Sequence, residues 1–110
     1  MTIYQQRLQQ LLDVLKEFNP QMVYSYGSWV DGEPKNDSDV DMAVIVDDTV
    51  DVLGFKRKLA VRLWEEQYPY DLEPDVHIIP KQIFNYRLSK GDPFITNVSK
   101  GKLIYGLKAN

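Results

Sequence analysis

The stretch Tyr24-Ser-Tyr-Gly-Ser-Trp-Val-Asp-Gly-Glu-Pro-Lys-Asn-Asp-Ser-Asp-Val-Asp-Met-Ala-Val-Ile-Val46 constrains this chain more than any other. It reads as a strand, a tight glycine turn, a polar excursion, and a second strand that opens on two aspartates. Gly27-Ser28 ends the first apolar run, where a glycine lets the backbone approach a ligand closely. A short helical turn is expected next, aiming its free N–H groups and the Ser28 hydroxyl at a phosphate. Side chains alternate along a strand, so Asp39 and Asp41 face one side while Val40 and Met42 face the other. Two adjacent carboxylates repel unless a cation lies between them, and oxygen donors suit a hard divalent metal. A phosphate cradle facing such a pair is apparatus for phosphoryl or nucleotidyl transfer.

The rest of the chain supplies a scaffold. Residues 3–18 carry Tyr4, Leu8, Leu11, Leu15 and Phe18 at helical spacing, with Thr2 and Gln5 placed for a capping box and Asn19-Pro20 as the stop. A strand is expected over 21–26, with Tyr24 and Tyr26 sharing a face with Met22, and another over 39–46. After the polar break Asp47-Asp48-Thr49, a helix capped by Thr49 or Asp51 should run to about Tyr68 with Val52, Phe55, Leu59 and Leu63 inward. Its exposed side carries Lys56, Arg57, Lys58 and Arg62 early and Glu65 and Glu66 late. That order opposes the helix dipole, and a solvated face or a partner would account for it.

Asp75-Val-His-Ile-Ile79 is a short strand fenced by Pro74 and Pro80, with Asp75 and His77 on one face. Two short helices are expected over 80–88 and 92–99, the second with Asp92 as N-cap and Pro93 in its first turn, before an extended piece from Lys102 to Gly106. The fold expected is therefore α/β (α+β): one domain spanning 1–110, a small twisted mixed sheet with helices packed on one face and the site on its open rim.

Charge narrows the functional classes. The net charge is −3, which argues against a dedicated nucleic-acid-binding face. Six aspartates fall between Asp37 and Asp51 without a Lys or Arg, whereas Lys81, Arg87, Lys90, Lys100, Lys102 and Lys108 face only Asp92 after Val76. Most of these cations read as solvated surface; one or two could offer counter-charge to a polyphosphate. There is no cysteine, which excludes disulfides and thiolate metal sites and fits a cytoplasmic protein. No apolar run reaches membrane-span length, and the N-terminus reads as an amphipathic helix rather than a signal peptide.

Gly27-Ser28, ten residues, then Asp39-x-Asp41 preceded by Ser38 resembles the signature of the DNA polymerase β-type nucleotidyltransferases. The small size and the Leu-Ile-Tyr-Gly ending resemble the minimal nucleotidyltransferases (MNT), partners of HEPN proteins in prokaryotic toxin–antitoxin pairs. The resemblance implies transfer of a nucleoside monophosphate, AMP from ATP, to a hydroxyl of a HEPN partner. It implies that Asp39 and Asp41 hold two Mg²⁺ ions, with Mn²⁺ as substitute. If the Asp75 strand lies beside the Asp39/Asp41 strand, it makes Asp75 the third carboxylate, which serves the second metal and takes the proton. It assigns Gly27 and Ser28 to the phosphates, with Ser38 next to the pair, and Lys35 stands where the family often has a basic residue. Trp29 and Asp31 stand where arginines are common, which favours a rival reading, a non-catalytic antitoxin-like module that neutralises by contact. A small-molecule nucleotidyltransferase is a further rival, although such enzymes usually add a helical domain. His77 reads as a packing residue or as a hydrogen-bond partner of a metal ligand, ahead of direct ligation.

Overall fold

The computed structural model describes residues 1–27 and 39–107. The elements run α1 (Ile3–Lys16), β1 (Met22–Ser25), β2 (Val40–Val46), α2 (Val52–Glu65), β3 (Pro74–Pro80), α3 (Lys81–Ser89), α4 (Pro93–Ser99) and β4 (Lys102–Gly106). The four strands form one sheet in the order β3-β2-β1-β4. β1 is antiparallel to both β2 and β4, while β2 and β3 are parallel. The sheet is mixed, as expected.

Local chemistry sets the element ends. The Thr2 backbone N–H donates to Gln5 Oε1 at 2.9 Å and the Gln5 N–H donates to Thr2 Oγ1 at 3.1 Å, completing the capping box. α1 stops one turn short of Pro20, and Asn19 takes a left-handed φ of 52°, a conformation asparagine tolerates. At α4 the Ile95 N–H donates to Asp92 Oδ1 at 2.9 Å with Pro93 in the first turn. Asp51 occupies the N-cap position of α2 but makes no side-chain cap bond, and Thr49 instead donates to Asp47 through both its N–H and its hydroxyl.

Two differences from the sequence expectation have physical causes. The prolines that were expected to fence β3 lie within it, opposite Val40 and Val46. Among the described residues β3 is an edge strand with β2 as its sole neighbour, so a missing N–H on its outer side breaks no ladder bond. The helices also do not all lie on one face. β2 sends Val40, Met42, Val44 and Val46 into a core with Leu11, Leu15, Phe55, Leu59 and Leu63 of α1 and α2. Ala43 and Ile45 point the other way, into a second cluster with Phe84 of α3 and Ile95 and Val98 of α4. The sheet lies between two helical layers because β1 and β2 send buried side chains to both sides, as the fully buried pattern of Met22–Ser25 shows. The Gln82 N–H of α3 donates to Asp48 Oδ1 at 2.8 Å, which ties the end of β2 to the second layer.

Candidate active site

β2 fixes the acidic residues by its packing. Val40 and Met42 have no exposed surface, and burial of such a side chain stabilises by about 1.5–3 kcal/mol. Asp41, between them, is thereby turned to the opposite face, half-buried at the sheet's end. Parallel pairing of β2 with β3 places Asp75 directly beside Asp41, Cα opposite Cα in the register. The condition set by the sequence, that the Asp75 strand lie beside the Asp39/Asp41 strand, is met.

The electrostatics show how close these groups are. Burial first, then the negative charge of Asp75, a hydrogen bond with Asp75 and the charge of Asp39 raise the Asp41 pKa from 3.8 to about 6. Asp39, just ahead of β2, and Asp75 are both exposed. Asp39 and Asp75 therefore both stand within electrostatic reach of Asp41.

Gly27 closes the site from β1. Its φ is +91°, and a Cβ built there would stand 2.5 Å from Asp41 Oδ2. Only glycine lets the backbone cross the carboxylate at this distance. The Tyr26 N–H donates to the Asp41 backbone carbonyl at 3.3 Å, which holds the turn to the strand. Ser28, Lys35 and Ser38, together with Trp29 and Asp31, lie outside the described residues.

A ring cluster that the sequence did not single out borders the acids. Tyr26 is buried, and desolvation together with the charges of Asp75 and Asp41 raises its phenol pKa, so the hydroxyl stays protonated beside them. The Phe94 ring lies 5.7 Å from the Tyr26 ring, edge to face, and 4.9 Å from the His77 ring. His77 Nε2 is 3.4 Å from Asp75 Oδ1, so the histidine abuts the carboxylate as well as packing. The Arg87 guanidinium sits 5.9 Å over the Phe94 ring and pairs with Asp92 at 3.0 Å. Tyr26 and Phe94 are 68 positions apart, and α4 folding against β1 brings them together. The adjacency of Tyr26 to Gly27 was the one signal in the sequence.

Could these residues hold a metal? Among the described residues no three His, Cys, Asp or Glu side chains converge on a metal-holding geometry. The donor chemistry nevertheless fits a hard divalent cation. Asp41 and Asp75 are paired by the backbone and are all-oxygen donors, and their mutual repulsion calls for a cation. Asp39 and Asp75 are exposed, so their carboxylates can turn toward Asp41 without disturbing the core.

The family model described as Polymerase beta, Nucleotidyltransferase matches residues 9–110. The chain belongs to that family and is by class a nucleotidyltransferase. It is similar in fold to a chain in the crystal structure of the toxin–antitoxin MntA–HpeT mutant with two aspartates changed to glutamates. There the identity is 21%, the match covers 92% of this chain and 74% of that one, and the TM-score is 0.55. A second MntA–HpeT structure, with a tyrosine changed to alanine, matches at 23% identity over 91% of this chain and 72% of that one, TM-score 0.51. No curated protein matches the chain.

Proposed function

We propose that the protein transfers a nucleoside monophosphate, AMP from ATP, to a hydroxyl of a partner protein, as the antitoxin of a HEPN–MNT pair. The observation that carries this reading is the register that sets Asp75 beside Asp41 under the Gly27 turn. The toxin–antitoxin named for its structural neighbours supports the partner assignment.

In this reading Asp39, Asp41 and Asp75 hold divalent cations, Mg²⁺ or Mn²⁺. Held there, such ions would neutralise the triphosphate and acidify the attacking hydroxyl. The Gly27 backbone, with Ser28 and Ser38, cradles the phosphates, and Lys35 offers counter-charge. The acceptor oxygen forms a bond to the α-phosphorus as the bond to pyrophosphate breaks. Asp75, exposed at the rim, takes the hydroxyl proton. His77 at 3.4 Å positions that carboxylate, and Tyr26, kept protonated, stays a hydrogen-bond donor next to it.

A second reading, contact neutralisation without catalysis, is favoured by Trp29 and Asp31 replacing common arginines and by the unconverged carboxylates. Pyrophosphate release distinguishes the two. With ATP and Mg²⁺, adding the HEPN partner should start release by the wild type and not by Asp41→Asn. No release in either case would leave contact neutralisation.

A further inference from the structure

α2 turns Phe55, Leu59 and Leu63 into the core, and the opposite side of an ordinary surface helix would be polar. Here it is not. Leu53, Val61 and Trp64 are 58%, 56% and 78% exposed, and at 3.6 residues per turn they line up on the outward side with Arg57 between them. Beside Val61 runs a largely apolar groove of about 410 Å³, lined by Phe18 and rimmed by Arg57, Lys58 and the mutually paired Glu17 and Arg62.

The charge at this face runs against the rest of the chain. The net charge is −3, yet Lys56, Arg57 and Lys58 crowd one turn. They stand in the N-terminal half of α2, where the helix dipole is positive and the first turn carries no acidic residue. Among the described residues none of the three enters an ion pair, whereas Arg62 nearby is shared by Glu17, Glu65 and Glu66. Arg57 within the stripe and Lys58 on its flank, both unneutralised, next to bare Leu, Val and Trp match a counterpart that is both acidic and apolar.

We propose that the outward face of α2, with the groove beside Phe18, docks an acidic amphipathic helix of a partner protein. The partner's apolar side covers Leu53, Val61 and Trp64, and its carboxylates meet Arg57 and Lys58. Nucleic acid would use the cations and leave the apolar stripe uncovered. Because α2 lies on the sheet face opposite Asp41, a helix seated there leaves the acidic site open. The proposal goes beyond the transfer reaction and does not depend on it.

The test titrates the isotope-labelled full chain with a synthetic helical peptide of about six turns, its leucine stripe bordered by glutamates. A lysine-bordered version and phosphatidylserine vesicles serve as comparisons. Saturable binding of the glutamate peptide is expected, with amide shifts confined to α2 and the end of α1. The double variant Arg57→Glu/Lys58→Glu, and separately Trp64→Ala, should weaken it about tenfold or more, with unchanged circular-dichroism melting. Equal binding of the lysine peptide, shifts elsewhere, or no saturation below roughly 1 mM would overturn the proposal. Tighter binding to vesicles would instead give the face to lipid. Self-association lost in Trp64→Ala would give it to a second copy. Either result would also overturn the proposal.

Discussion

A Cβ at Gly27 would stand 2.5 Å from Oδ2 of Asp41, so the turn after β1 and the acid in β2 are built as one unit. Gly27→Ala therefore meets two penalties, a φ of +91° and a carboxylate that must move. Backbone strain of this kind costs about 1–3 kcal/mol. Melting should drop by roughly 4–8 °C for each kcal/mol lost, and nucleotide binding should weaken beyond what unfolding explains. A variant with unchanged melting and unchanged binding would mean that the close approach is unimportant.

The acid pair gives stability a pH signature. Asp41 has a folded pKa of about 6 against 3.8 for the free side chain. The folded state therefore holds this proton more tightly than the unfolded state, and the resulting stabilisation is full below pH 3.8. It is lost as pH rises through about 6. In chelator, the melting temperature of Asp41→Asn should change less between these limits than that of the wild type, and above them the variant should be the more stable. Thermal scans across that range decide this, and parallel curves for the two proteins would contradict the assigned cause.

Much of the scaffold was legible because punctuation residues sit at element ends. Thr2 and Gln5, Asn19-Pro20 and Asp92-Pro93 each act through a local hydrogen bond or a fixed dihedral, which needs no tertiary context. The Asp39/Asp41 pair was legible because strand alternation is local too. The pairing of Asp75 with Asp41 was only conditional, since β2–β3 adjacency is a long-range choice. The second helical layer was not legible. α3 buries one large side chain, Phe84, too thin a stripe to show which face it covers. Phe94 likewise joins Tyr26 and His77 only through the packing of α4 on the sheet.

Metal and nucleotide should bind together. Calorimetric titration of Mn²⁺ with ATP into the wild type should show binding that Asp39→Asn/Asp41→Asn abolishes while circular dichroism keeps the fold. The substitution removes charge at the sheet's rim and leaves the buried Val40, Met42 and Val44 untouched. Equal heats from both proteins would remove the carboxylates from the metal site.

Asp75 should matter to rate rather than to folding. It is exposed on an edge strand with His77 for a neighbour, so a neutral isostere disturbs little packing. Asp75→Asn should lower transfer by at least about 10²-fold, the lower range for losing a proton acceptor, with nearly the same melting temperature. Full activity would shift the third-acid role, with Glu73 the next carboxylate along the chain.

Transfer of a nucleotide onto a partner by the acids joined by β2 and β3 is open to direct measurement. Its most direct test is the intact mass of the proposed HEPN partner after incubation with this protein, ATP and Mg²⁺. One or more added AMP units are expected with the wild type, and none with Asp41→Asn. An unchanged partner mass, with wild type and variant neutralising equally well, would contradict catalysis and leave a module that works by contact.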